Sequence, residues 1–391
     1  MEKNSEHIST WITLLVFSFM ISSQFSIDIL GLRFSVYRIV LLLASLPVAM
    51  VYFSRTKKLL VDRFVFVTAG LMFVSLLVNH GADGIASGGA TILETIVPYL
   101  LGRVYINNKE NLIKFADLYY KVILLLLIPV TYELFTGYNL FINTFGGEVI
   151  RNGQSVRFGL YRAEGPFDHA ILFGLFVASA FAIASISNKN VITKYLIILA
   201  VTFTSVSSAA FLMIAMQIAL LKIKKLANAR LSSIAYVIIG VYIFINIFSN
   251  RTPFEVLSSY LSLDTETAYY RLLINQYAMV SVMNNPFFGI GLHDWVRPSW
   301  LAPSIDNFWM LIAVQFGIAT FACLCIVIYF SLKSTYVNST TRESVGIRAL
   351  LFSIIIAAIT VALWNALYVL FWLIIGLSNN LAQFKPSDQN L

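Results

Sequence analysis

The sequence is short of charge. Only 12% of its 391 residues are Asp, Glu, Lys or Arg, against roughly 25% in a soluble domain, and 59% are hydrophobic. That excludes an ordinary water-soluble globule and points to an all-α polytopic membrane protein. Cysteine is nearly absent. Cys323 and Cys325 stand two apart in one apolar run and point to nearly opposite sides, which excludes a disulfide framework and a cysteine metal site. The outer segments hold no Asp-x-Asp pair, no Cys/His cluster and no phosphate-cradling glycine loop, so neither a metal nor a cofactor is expected. The net charge of +8 does not imply nucleic acid, because in a membrane protein it reflects basic cytoplasmic loops.

What the chain has in abundance is apolar runs. Twelve have the length and hydropathy of candidate membrane spans: residues 10–30, 35–53, 62–79, 90–106, 113–135, 169–187, 191–206, 208–223, 231–249, 304–331, 347–363 and 365–383. They form one membrane domain, 1–391, with two longer polar segments at 136–168 and 250–303. The N-terminal run resembles a signal peptide, but an even count of spans needs it as a retained first helix. With both termini cytoplasmic, the inner segments hold 18 Lys and Arg and the outer ones eight. The lipid bilayer is therefore the first expected partner.

The identity of the outer charges is more informative than their number. Arg33, Arg38, Arg151, Arg157, Arg162, Arg251, Arg271 and Arg297 are all arginine, in a chain with 13 Lys and 14 Arg. Arginine is a planar, permanently charged fork that grips phosphate or carboxylate at two points, which an ammonium does poorly. The plainer reading is that these side chains stack on aromatics or pair with Glu148, Glu164, Glu255 and Glu266. Within the spans, Lys114, Asp117 and Lys121 have the spacing of a local ion-pair set. Glu94 and Arg103, nine apart, lie half a rotation out of phase and do not pair with each other.

Residues 267–317 carry Arg271, His293, Asp294, Arg297 and Asp306. A helix capped by Asp264 or Thr265 is expected to run to about Met283, with Arg271 and Asn275 on one face. Pro286 ends it, and Gly289 and Gly291 turn the chain. The first outer segment closes on Arg157, Arg162, Glu164, Asp168 and His169 at the mouth of an apolar helix. Asp168 is a natural cap there, with His169 in the first turn, and Asp306 is a natural cap for the span after it.

Three stretches carry a resemblance: Arg162-Ala-Glu-Gly165-Pro-Phe167-Asp-His169 entering a helix, Asn285-Pro286-Phe-Phe-Gly289-Ile-Gly291, and Asp306-Asn307 opening a helix that runs to Gly317. Together with Arg271 they resemble the O-antigen polymerase and ligase group of membrane glycosyltransferases. The resemblance implies a GT-C-like helical fold of about twelve membrane helices in the bacterial cytoplasmic membrane. It implies an undecaprenyl-diphosphate-linked glycan as donor on the outer face, with a chain-length regulator and a flippase as candidate partners. Arg162 and Arg271 become diphosphate-binding residues, and Arg157, Arg297, His293 and Glu164 further substrate contacts. The attacking sugar hydroxyl needs a base, drawn from Asp306, His169 and His293. The ligase branch has a His near the position of Asp306, so this chain leans towards the polymerase branch. Relatives often carry an Arg after the Ser in the turn at Ser207-Ser208, which this chain lacks. A ligase passing the glycan to a lipid or protein acceptor, and a polysaccharide flippase or transporter, are the alternatives.

Overall fold

The computed structural model describes residues 8–29, 32–145, 156–187, 189–223, 231–248, 256, 265–338 and 340–384. Arg151, Arg251, Glu148, Glu255 and the proposed cap Asp264 lie outside these residues. The chain is mostly helical. In order the helices are α1 (Thr10–Ser18), α2 (Val36–Arg55), α3 (Leu60–His80), α4 (Gly84–Tyr105), α5 (Lys109–Thr136), α6 (Leu140–Phe145) and α7 (Ala170–Ala184). They continue as α8 (Val191–Thr204), α9 (Ser208–Lys222), α10 (Leu231–Phe248), α11 (Thr265–Asn284), α12 (Phe308–Val337), α13 (Arg342–Ala357) and α14 (Asn365–Ser378). Two short antiparallel hairpins interrupt them. One is β1 (Ser26–Ile29) with β2 (Leu32–Ser35), and the other is β3 (Val156–Arg157) with β4 (Leu160–Tyr161).

Among the described residues, four helical stretches are long and apolar enough to cross a membrane: Val36–Arg55, Leu60–Tyr105, Phe308–Val337 and Asn365–Gln383. The second is α3 and α4 folded back on each other at the short 3₁₀ turn Gly81–Asp83. Helices α7, α8 and α9 are apolar but shorter. The expected first span, 10–30, is not one helix. It is helical only to Ser18, and the polar run Ser22-Ser23-Gln24 leads into the β1–β2 hairpin.

Which helices sit inside follows from their side chains. Helices α7 and α14 are apolar on every side, so no face prefers water and both are buried almost throughout. Helix α14 crosses α4 at a pair of glycines: a side chain on Gly102 would strike the backbone of Leu373 and Leu377, and one on Gly376 the carbonyl of Tyr99. Small residues at a crossing let two backbones approach and pack closely. Helix α2 instead buries one stripe, Tyr37, Leu41, Ala44, Val48 and Tyr52, and leaves Leu42, Leu43, Leu46 and Met50 exposed, as a lipid-facing helix would.

Segments assigned to one side by the charge count meet in space. Residues 9–11, 55–57, 103–105, 107, 111, 380 and 383 line one cavity. At the same end Lys109 pairs with Glu343 at 3.0 Å, and the Asn338 amide donates to Leu381 O at 2.9 Å. At the opposite end Ser23, Arg33, Arg38, Asp168 and Asn365 line another cavity. Asp117 looks across the bundle rather than along its own helix: it takes Lys194 of α8 at 2.6 Å and the Ser187 hydroxyl at 2.9 Å, while Lys114 pairs with Glu110 at 2.7 Å. As expected, Glu94 and Arg103 do not join. Glu94 pairs with Arg38 at 2.7 Å, and Arg103 with Asp62 at 3.0 Å.

Candidate functional site

The chain between β4 and α7 is held by a carboxylate that the sequence reading passed over. Glu133, near the end of α5, is only 3% exposed. Its oxygens accept from the backbone N–H of Glu164 (3.1 Å) and Gly165 (3.0 Å) and from the Asn139 amide (3.0 Å). Its signal was an acid near the end of an otherwise apolar run. Gly165, at φ 56°, makes the turn that presents both N–H groups.

This anchoring carries Arg162 inward. Ala163 N donates to Thr204 O at 2.9 Å, and Arg162 Nε donates to Ser205 O at 3.2 Å. The tight turn between α8 and α9, whose role the missing arginine left in doubt, therefore seats Arg162. Arg162 is 9% exposed, and its buried Nη2 has no partner. Burial, then repulsion from Arg157, lowers its pKa to about 10 against the pull of Glu164, so the guanidinium stays charged at neutral pH.

Arg271 arrives from α11. It is 7% exposed, its buried Nε has no partner, and one turn on Asn275 has an unpartnered buried Oδ1. Burial lowers the Arg271 pKa, with Asp306 opposing and Arg157 assisting. The two arginines come from segments about a hundred residues apart and share the influence of Arg157.

Both cap assignments shift by one residue. Asn307, not Asp306, caps α12: its Oδ1 accepts from Trp309 N (3.0 Å) and Met310 N (3.2 Å). Asp306 is left half-buried, and among the described residues its carboxylate makes no hydrogen bond or salt bridge. His169, not Asp168, caps α7: its Nδ1 accepts from Ile171 N at 3.2 Å. Asp168 instead accepts from Ser23 Oγ (2.6 Å) and from the Asn365 amide (2.5 Å), tying α7 to the chain before β1 and to α14. In both pairs two adjacent residues were able to cap; at Asp168 the distant partners Ser23 and Asn365 take the carboxylate and leave the cap to His169.

The His169 bond fixes a tautomer. With Nδ1 accepting, a neutral ring carries its proton on Nε2 and offers a donor, not a base. The ring is open to a cavity yet crowded by protein. That desolvation, with the charge of Arg162, holds its pKa below the usual histidine value against Asp306 and Asp168. His169 and Asp306 line one cavity of about 260 Å³ with Gln315, Thr360 and Trp364. Trp364 also borders the neighbouring cavity of about 330 Å³, which contains Asp168, Arg38 and Tyr37. Neither Arg162 nor Arg271 forms the wall of either cavity; Arg162 acts through its charge on His169, and Arg271 feels that of Asp306.

The structure thus brings together Arg157, Arg162, Glu164, His169, Arg271 and Asp306. His293 and Arg297 are engaged elsewhere. His293 stacks on His80 with ring centres 4.3 Å apart, and its Nε2 lies 3.1 Å from Asn79 O. Arg297 grips Asp294 through two nitrogens and donates to Leu301 O at 2.5 Å. The Asn285–Gly291 motif has a backbone role. Helix α12 breaks at Gly317, φ 85° and ψ 170°, and the motif fills the break. Ile290 N donates to Val314 O and Gly291 N to Gln315 O, each at 2.9 Å, while Ile318 N donates to Pro286 O at 2.8 Å. A side chain on Gly317 would strike Phe287 O.

No known protein family matches the chain, and no characterised protein resembles it closely in sequence. The likeness to the polymerase and ligase group rests on the motif residues alone. Among the described residues, no three His, Cys, Asp or Glu side chains stand together as metal ligands.

Proposed function

We propose that the chain is a lipid-linked glycan polymerase, with its site at the outer face of a bacterial cytoplasmic membrane. The observation that carries this reading is the pair Arg162 and Arg271. Two guanidiniums, each more than nine-tenths buried, each keep a nitrogen without a partner; Arg271 feels the charge of Asp306, which makes no hydrogen bond or salt bridge among the described residues, and His169 feels that of Arg162. An unpartnered buried donor is costly, and a ligand with several anionic oxygens would satisfy both. A diphosphate is such a ligand. Twelve membrane crossings, a GT-C-like arrangement and cytoplasmic termini belong to the same proposal, supported by the charge count and by the segments that meet at each end.

The chemistry follows from the residues. A sugar hydroxyl on the acceptor attacks the anomeric carbon of the donor while the lipid diphosphate leaves. Asp306 takes the hydroxyl proton, and Arg162 and Arg271 hold the charge that develops on the leaving group. His169 donates a hydrogen bond from Nε2. The two cavities on either side of Trp364 offer separate room for donor and acceptor sugars. The break in α12 is a feature that transporters also use. Here its carbonyls are taken by loop N–H groups, and the unpaired charge lies at loop level, which favours the enzyme.

The test is extension of a synthetic undecaprenyl-diphosphate-linked repeat unit by purified protein in nanodiscs with EDTA present. Wild type should make polymer, and Asp306→Asn should lose about 100-fold or more. Undiminished activity of the variant removes Asp306 as the base. Activity that needs an added divalent ion removes the metal-free mechanism.

A further inference from the structure

A third cavity lies at the face opposite this cluster, and the proposed reaction makes no use of it. It encloses about 830 Å³ between the starts of α1 and α5, the ends of α2 and α4, the link from α2 to α3, and the 3₁₀ turn after α14. That is within the range of ligand pockets. Its charged lining is entirely cationic among the described residues: Arg55, Lys57 and Arg103.

The three cations differ in what they have left to offer. Arg103 is 1% exposed and fully engaged, donating to Asp62, to Asn380 and, at 2.8 Å, to Lys57 O. The carboxylate that engages Arg103 is Asp62, and it is taken by Arg103, Tyr99 and Leu59 N. The end of α4 has been quenched as well, because the Asn380 amide donates to the carbonyls of Gly102, Arg103 and Ile106. The floor is therefore rigid and carries no free acceptor charge to compete with an anion. Above it Arg55 and Lys57 are exposed and make no ion pair among the described residues. Trp11, Val51 and Tyr105 supply an apolar wall beside them.

The geometry points to a site for the phosphate headgroup of an anionic phospholipid. The two free cations meet the phosphate, the asparagines Asn107 and Asn111 meet glycerol-type hydroxyls, and the aromatic wall meets the first acyl carbons. Basic pockets between helices at a cytoplasmic membrane surface recognise lipid phosphates in this way. Aromatic residues with one apolar and one polar end suit the same level of the bilayer. The cavity is far larger than a free phosphate needs, and its apolar wall would contribute nothing to one. The inference is independent of the glycan reaction at the other face.

The experiment uses full-length protein, delipidated in mild detergent. Its thermal unfolding is followed while short-chain phosphatidylglycerol, phosphatidylcholine or inorganic phosphate is titrated in. Phosphatidylglycerol should raise the melting temperature saturably, and phosphatidylcholine of the same chain length should not. In Arg55→Gln/Lys57→Gln the apparent affinity for phosphatidylglycerol should fall about 30-fold, from two basic contacts. Both positions are exposed, so the variant should fold, and Lys222→Gln serves as a remote exposed control that leaves the affinity unchanged. Equal stabilisation by both lipids, or equal loss in the control, overturns the site. A full shift with inorganic phosphate alone overturns the lipid assignment in favour of a soluble anion.

Discussion

Arg103, at the end of α4, and Arg162, just after β4, are both buried arginines at opposite faces of the molecule, and they are built on opposite plans. Arg103 is complete: an aspartate, an asparagine and a carbonyl occupy its guanidinium. Arg162 has one carbonyl, on Nε, and a buried Nη2 with nothing. Arg271 follows Arg162, with an empty Nε. Burial alone therefore does not mark a functional charge. In the proposed reading, what marks it is a buried charge with its hydrogen bonds left unfinished, since an unpartnered charged donor costs more than a neutral one.

The comparison is most exposed at Arg103. Arg103→Gln strands Asp62, and breaking a buried pair in this way costs about 3–5 kcal/mol. Unfolding in detergent should show that loss, and an unchanged melting temperature would remove the structural half of the contrast. Arg162→Lys and Arg271→Lys should behave in the opposite sense. Each should lose about 30- to 1,000-fold in turnover, equivalent to about 2–4 kcal/mol, because the fork is needed as the leaving group gains charge. Each should leave thermal stability nearly untouched, since little in the resting protein depends on the missing contacts. Single-turnover rates at matched protein amounts check this. Losses in the double variant that merely add argue against one shared diphosphate.

These two outcomes bear on what the sequence can tell a reader. Helix positions were legible almost throughout, because long apolar runs leave few other structures. The exception, residues 19–30, failed because hydropathy averages over the polar Ser22-Ser23-Gln24 and hides them. Residue type and loop ends singled out Arg157, Arg162, Arg271, His169 and Asp306, groups that feel one another's charge in the structure. Their roles were not. Whether an arginine is finished depends on partners far along the chain, such as Ser205 for Arg162 and Asn380 for Arg103. Arg297 was the reverse case, since Asp294 stands three residues before it and the pair was readable from spacing alone.

His169 gives a finer test. Its pKa is depressed, so protonation works against the fold, and its neutral form is complete above the ordinary value of about 6.5. Wild type should therefore lose stability relative to His169→Gln only as pH falls below that value, and the two should run parallel above it. The acid limb of activity should likewise lie lower than an ordinary histidine would place it. A limb at or above pH 7 would contradict the crowded, cation-flanked ring. The smallest effect belongs to Arg297→Lys. Its partner Asp294 is largely exposed, and exposed pairs contribute within about 1 kcal/mol. A loss as large as that at Arg162 would mean that Arg297 leaves Asp294 to hold substrate.

The break in α12 also has a consequence for how the protein is made. Helical carbonyls at membrane depth need partners, and Val314 and Gln315 obtain theirs from the turn at Ile290 and Gly291. That turn leaves the ribosome before α12 does. Ser75, made earlier still, places its hydroxyl 2.5 Å from Phe288 O and 3.0 Å from Gln315 O, touching both sides of the junction. The order of synthesis thus supplies the receiver, then the plug, then the helix to be plugged. Moving the Asn285–Gly291 segment to a position after α12 would leave its contacts chemically possible but reverse that order, and the interrupted helix would have to insert with its gap open.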